Sequence, residues 1–198
     1  MADSSQIEVL ASARNLALLK LGRNIFNFSL FERWLKYLVT TNDVTIIGSQ
    51  IDKKTSKKIE KSQKMMLGQL VSDILEIWHP DNQSTNNRTE DLFDIRISTS
   101  LRIEMNLSDY NSLKLSLEEL VKDRNYLVHQ FSKEFPLNNA ENCHAAAIYL
   151  DERREKHLDV MESIRSTTSS CQEAIKAHGK FLDSDELWNH IESEHQNN

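Results

Sequence analysis

Glycine and proline are scarce in this chain, with four Gly and two Pro in 198 residues. Turns and bulges draw on both, and helix interiors tolerate neither, so their scarcity argues against a strand-rich fold and for long helices. Cysteine is equally rare. Cys143 and Cys171 have no CxxC spacing, which excludes a disulfide scaffold and reads as two reduced thiols in a reducing compartment. No segment approaches the roughly 18 uncharged apolar residues that a membrane span needs. Met1–Ser5 offers no basic region followed by an apolar run, so no signal peptide is expected. Basic excess is missing too: 24 Lys and Arg face 30 Asp and Glu, for a net charge of −6. A duplex-DNA binder is usually basic overall, so that class loses weight. Together these features predict a cytoplasmic chain with no membrane partner. Glycine-rich nucleotide loops and the GxSxG hydrolase elbow do not occur. No Cys/His cluster has ligand spacing, and His190 and His195 stand too far apart on a helix to share an ion. Neither a metal nor a cofactor is expected.

What is present is helical periodicity. Apolar residues make up 39% of the chain, enough for a core. Ile7, Leu10, Ala13, Ala17, Leu18 and Leu21 mark a first helix, with Gly22 and the 24–27 stretch as its expected break. Ser29 and Glu32 fit a capping box for a second helix through Phe31, Trp34, Leu35 and Leu38. Residues 43–51 read as a loop containing a short apolar Val44–Ile47. One long helix is predicted from about Thr55 to Trp78, on Leu67, Leu70, Val71, Ile74 and Leu75. His79–Glu90 reads as a mobile loop, and Phe93–Met105 as either a short hairpin or a helix start. A helix from Asp109 to about Ser132 follows, stopped near Pro136. The last long helix, about 139–176, carries Leu150, His157, Ile164 and Cys171 at heptad spacing, with a second row at Ala147, Arg154, Met161, Thr168 and Ile175. That half-polar seam predicts a partly solvated helix rather than a zipper. A short helix at Ser184–Glu194 closes the chain. The expected architecture is a single all-α domain over 1–198. Its core lies at about 5–135 and a helical extension at about 139–195, with room for a small hairpin insertion.

The segment with chemical content is Arg124-Asn125-Tyr126-Leu127-Val128-His129. At about 100° per residue, Leu113, Leu117, Leu120, Leu127, Val128 and Phe131 form an apolar stripe with Arg124 near its middle. Arginine is rarely enclosed without a partner, so its place there asks for one. Asn125 and His129 stand one turn apart on the stripe's edge. An imidazole can take the proton of a ribose 2′-hydroxyl or give one to a departing 5′-oxygen. A guanidinium matches a phosphate in fork geometry and stabilises developing charge, and an amide orients either. None of these roles needs a metal. Arg followed by His after four to six residues is a weak signal alone, with about one match expected by chance in such a chain. The Asn after Arg, the apolar spacer and the amphipathic helix add weight.

This segment resembles the signature of the HEPN superfamily, in which Arg is followed by a polar residue and, after four to six positions, by His. Two further stretches resemble bacterial HEPN-like proteins: Leu21–Phe28 running into Phe31–Lys36, and Leu67-Gly68-Gln69-Leu70-Val71. The resemblance covers roughly residues 10–135. It implies a HEPN-like bundle of four or five helices, pairing as a homodimer whose Arg/His sets face one another across a cleft where RNA is cut without a metal. It gives Arg124, Asn125 and His129 the catalytic roles above. It also implies a toxin or phage-defence effector, held by an antitoxin or regulatory protein. HEPN toxins paired with a nucleotidyltransferase antitoxin often carry Tyr two residues after the His. That position is Phe131 here, so the resemblance does not extend to that mode of control.

Lys53, Lys54, Lys57, Lys58, Lys61 and Lys64 form a local basic run, with Lys57, Lys61 and Lys64 on one face of a helix. Such a face either holds an RNA backbone or is simply solvated. The competing functional class is a non-catalytic HEPN-like module that binds RNA, a nucleotide or a partner protein. A third reading is a purely structural helical adaptor using the long C-terminal helix.

Overall fold

The computed structural model describes residues 4–42, 44–47, 50–81, 96–99, 103, 105–182 and 184–185. Six helices occur among them, with three short strands: α1 Ser4–Thr41, β1 Val44–Ile47, β2 Gln50–Ile51, α2 Lys53–Lys64, α3 Leu67–Ile77, β3 Arg96–Thr99, α4 Leu107–His129, α5 Phe131–Glu134 and α6 Ala140–Leu182. The protein is mainly helical, with a long C-terminal helix.

Two helices dominate. At 1.5 Å per residue, α1 is about 57 Å long and α6 about 65 Å. They lie side by side and run in the same direction. Arg14 Nε donates to the Leu137 carbonyl just before α6, Lys20 pairs with Asp151, Asn24 Nδ2 donates to the Leu150 carbonyl, and the Phe28 ring meets His157. The buried positions of α1 explain the pairing. Ala17, half-buried Leu21, Asn24, Phe28, Phe31, Leu35 and Leu38 recur at three- and four-residue steps, the spacing that keeps one face on a neighbour. On α6 the heptad row Leu150, His157, Ile164 and Cys171 is buried throughout, as are Ala147, Met161 and Thr168, while Arg154 and Ile175 are half-buried. Most of the half-polar seam is thus enclosed, because α1 lays a face opposite it that is apolar except for Asn24, while Arg154 and Ile175 keep part of the row solvated as expected.

That same face removes the break expected near Gly22. α1 runs on because Asn24 is buried with its amide satisfied: Nδ2 donates to the Lys20 and Leu150 carbonyls. The capping box at Ser29 and Glu32 does not form either. Ser29 Oγ donates back to the Ile25 carbonyl, and Glu32 accepts from Lys36 at 2.8 Å. Conversely, the single helix expected from Thr55 to Trp78 is two. Asp52 caps α2 through the Lys54 amide, Met65 and Met66 are extended, and Gln69 Oε1 accepts the Met66 amide to start α3.

α3 packs antiparallel on α4, Gly68 against Val121 and the Leu75 carbonyl accepting from Tyr110 Oη at 3.1 Å. α4 in turn runs antiparallel to α6, Glu119 opposite Lys156 and Tyr126 opposite Tyr149. Leu70, Ile74, Leu117 and Leu120 complete the core with Phe31, Leu35 and Leu150. The expected loop over 43–51 holds β1 and β2. They join β3 in an antiparallel sheet of order β2-β1-β3, with Val44 opposite Thr99 and Ile46 opposite Ile51. Phe93–Met105 therefore contributes a strand, paired with a segment some fifty residues earlier. Beyond Asp81, the loop expected over 79–90 lies outside the described residues, as does the closing helix expected at Ser184–Glu194 beyond Asp185.

Candidate active site at the end of helix α4

α4 starts on Asn106, whose side chain accepts the Asp109 amide, and ends at His129 where Gln130 closes the last turn. Its buried face is Tyr110, Leu117, Leu120, Asp123 and Leu127. Two expectations change here. Val128, placed on the stripe from its spacing, is 47% exposed. The charge enclosed in the helix face is Asp123, while Arg124 is only half-buried. Arg124 finds its partner locally, Nη1 donating to Asn125 Oδ1 at 3.1 Å.

The candidate residues fall into two groups. Arg124 and Asn125 are joined by that hydrogen bond. His129 lies one turn beyond Asn125 on the same exposed side and bonds to neither. Among the described residues no hydrogen bond or ion pair engages the His129 ring, and the residue is exposed. Lys57, Lys61 and Lys64 are exposed on α2, Lys64 pairing with Glu60 at 2.7 Å. α2 is tied to the end of α1 through Lys58 and the Asn42 carbonyl, whereas the Arg124 segment is tied to the start of α6. The lysines and the Arg124 set are thus anchored at different parts of the molecule.

The other face of this turn holds the residues that sequence reasoning missed. Asp123, 8% exposed, faces α6. Its carboxylate lies 2.8 Å from His157 Nε2 and accepts from Arg153 Nη1 at 3.2 and 3.4 Å. Burial alone would raise the Asp123 carboxyl. The hydrogen bond to His157 and the Arg153 charge outweigh it and hold the group below the usual carboxylate range. Arg153 lies over the Tyr149 ring at 4.9 Å, and Tyr149 meets Tyr126, Phe131 and Phe135. Tyr126 Oη donates to Glu134 at 2.5 Å, and burial together with that bond pushes the phenol well above its usual range. Phe131 is buried in this aromatic cluster. The only hint in the sequence was a histidine at an apolar heptad position, because the partners lie 30 and 34 residues apart.

Chemically, the exposed side offers one guanidinium, one amide and one imidazole to a ligand from solvent. Among the described residues no three His, Cys, Asp or Glu side chains converge as a metal-binding group would, and no helix is long and apolar enough to cross a membrane. No protein-family model matches this chain, and no curated protein or solved structure matches it.

Proposed function

We propose that the protein is a metal-independent endoribonuclease of the HEPN type, acting as a toxin or phage-defence effector in the cytoplasm. The observation carrying this reading is the solvent-facing end of α4, where His129 and Asn125 stand one turn apart and Arg124 is bonded to Asn125. In the proposed reaction an imidazole takes the proton of a ribose 2′-hydroxyl, and that oxygen attacks the adjacent phosphorus. Arg124 holds the phosphoryl oxygens and stabilises their added charge, while Asn125 keeps the guanidinium directed. The bond to the 5′-oxygen breaks as that oxygen gains a proton, leaving a 2′,3′-cyclic phosphate and a free 5′-hydroxyl. Attack and departure lie on opposite sides of the phosphorus, so one His129 serves as base or as acid, and a second copy of the chain supplies the other in a homodimer. The exposed lysines of α2, Lys57, Lys61 and Lys64, extend the RNA contact through phosphates.

The second reading, a non-catalytic HEPN-like module that binds RNA, a nucleotide or a partner protein, has one observation in its favour. The outer face of α1 exposes Leu18, Leu19 and Phe26, and Leu19 is 71% exposed. A partner protein covering this face is what a binding module requires, whereas RNA cleavage needs no such face. The deciding experiment incubates the purified full chain with RNA and with DNA of the same sequence, with and without EDTA. The proposal expects RNA cleavage that resists EDTA, cyclic-phosphate ends and intact DNA. Cleavage that EDTA stops would overturn the mechanism, and RNA binding without cleavage would give the protein to the second reading.

A further inference from the structure

We infer that Asp123, His157 and Arg153 form a positioning clamp that sets the orientation of the Arg124–His129 turn, and that catalysis depends on it. The inference rests on the ribonuclease reading above.

Asp123 lies on the inner face of α4, between Leu120 and Leu127. His157, 3% exposed, faces it from the buried side of α6. Enclosing a carboxylate there costs desolvation that a leucine would not incur, so the pair is a poor device for stability alone. What the carboxylate supplies is direction. His157 and Arg153 stand one turn apart on α6, and a single carboxylate joined to both fixes α4 in rotation and in translation. A slip of one residue would move α4 by about 1.5 Å and turn it by about 100°, breaking both bonds. Apolar contacts are non-directional and tolerate smaller displacements.

Each arm of the clamp is itself held. The Phe28 ring of α1 lies 6.2 Å from His157, and Tyr149 lies beneath the Arg153 guanidinium. Asp123 is thereby referred to both long helices. The next residue along the chain is Arg124, and Asn125 and His129 follow within two turns. Fixing Asp123 inward directs Asn125 and His129 outward. A phosphate held between two imidazoles demands that accuracy, since a displacement of about 1 Å can cost roughly 100-fold in rate.

The test compares two full-length variants with the wild type. In the first, Asp123→Leu, His157→Leu and Arg153→Met replace the whole clamp by apolar residues. Its melting temperature should equal or exceed that of the wild type, because the buried charges leave together. Its kcat on RNA should fall about 10- to 100-fold with KM unchanged within about twofold. The second, Asp123→Asn, keeps shape but not charge. It should shift the His157 ring signals in NMR and speed amide exchange over residues 124–130 by about 10-fold, while α3 stays protected. A triple variant with wild-type kcat, or unchanged exchange over 124–130 in Asp123→Asn, overturns the clamp. Should the triple variant fail to fold, Asp123→Asn decides on kcat and exchange alone. If the wild type cuts no RNA, the ribonuclease reading falls, and the exchange measurement still decides whether the clamp orients this turn.

Discussion

Asp123 and Arg124 are neighbours in the chain, yet they belong to two polar sets with opposite physical character. The inner set, Asp123 with His157 and Arg153, is largely enclosed and its carboxylate has every partner it needs. The outer set, Arg124, Asn125 and His129, faces solvent, and its imidazole has no partner among the described residues. Enclosed polar groups must be satisfied by the fold, because an unsatisfied one costs about 1–3 kcal/mol. Exposed groups carry no such obligation and remain available to a ligand. On the proposed reading, the inner set belongs to the architecture of the helix pair and the outer set to chemistry. Each assignment predicts a different response to mutation.

The largest difference is expected in rate. His129→Ala should lower RNA cleavage by about 10²- to 10⁴-fold, the usual loss for a general acid–base group. The same change should leave the unfolding free energy within about 0.5 kcal/mol of wild type, because the side chain is exposed. Single-turnover kinetics and urea titration on one preparation would check both. A variant that loses stability along with activity would break the comparison by making His129 structural.

The inner set should respond the other way. His157→Leu leaves the Asp123 carboxylate buried with one partner, and removing a single member of such a pair costs about 3 kcal/mol. A urea midpoint equal to wild type would show that the pair is solvated in solution. The pH dependence follows from the same geometry. The folded Asp123 carboxyl is held low, whereas an unfolded aspartate titrates at about 3.9. Folding therefore favours the ionised form. Its contribution is complete above about pH 5 and is lost as pH falls through the folded value. Asp123→Asn should flatten the acid side of the stability curve, and thermal melts between pH 2 and about 6 would reveal it.

Which parts of this were legible in the sequence depended on the range of the forces involved. α4 and the long α6 follow from periodicity, which is local. The continuity of α1 did not, because Gly22 and Asn24 read as breakers. Only the Leu150 carbonyl, on another helix, shows why an asparagine sits there buried. The break between α2 and α3 was hidden because Met65 and Met66 continue an apolar pattern through extended backbone. β1 and β3 pair across roughly fifty residues, so neither carries its partner's signature. Within the candidate site the outer set was visible as a motif, since its members share one turn and a half of helix. The inner set was not, since a carboxylate on α4 and an imidazole on α6 announce nothing until the helices meet.

The smallest effect is expected where neither burial nor chemistry intervenes, and it calibrates the other predictions. Gly22 lies within α1, on the outer face with Leu18, Leu19 and Phe26, and a Cβ built on it meets nothing within 4 Å. Glycine inside a helix costs roughly 0.5–1 kcal/mol relative to alanine, because the unfolded chain loses more freedom on ordering. Gly22→Ala should therefore raise the unfolding free energy by about that amount and leave RNA cleavage at the wild-type rate. A solvent-facing position without a role should show this pattern: a small gain in stability and no change in rate. His129, equally solvent-facing, should show the reverse, no change in stability and a large loss in rate. Loss of activity or of a partner in Gly22→Ala, with stability raised as expected, would mean that the outer face of α1 is occupied in the working protein. Exposure in the single chain would then not separate chemistry from architecture at α1 as the ribonuclease proposal has it do at α4.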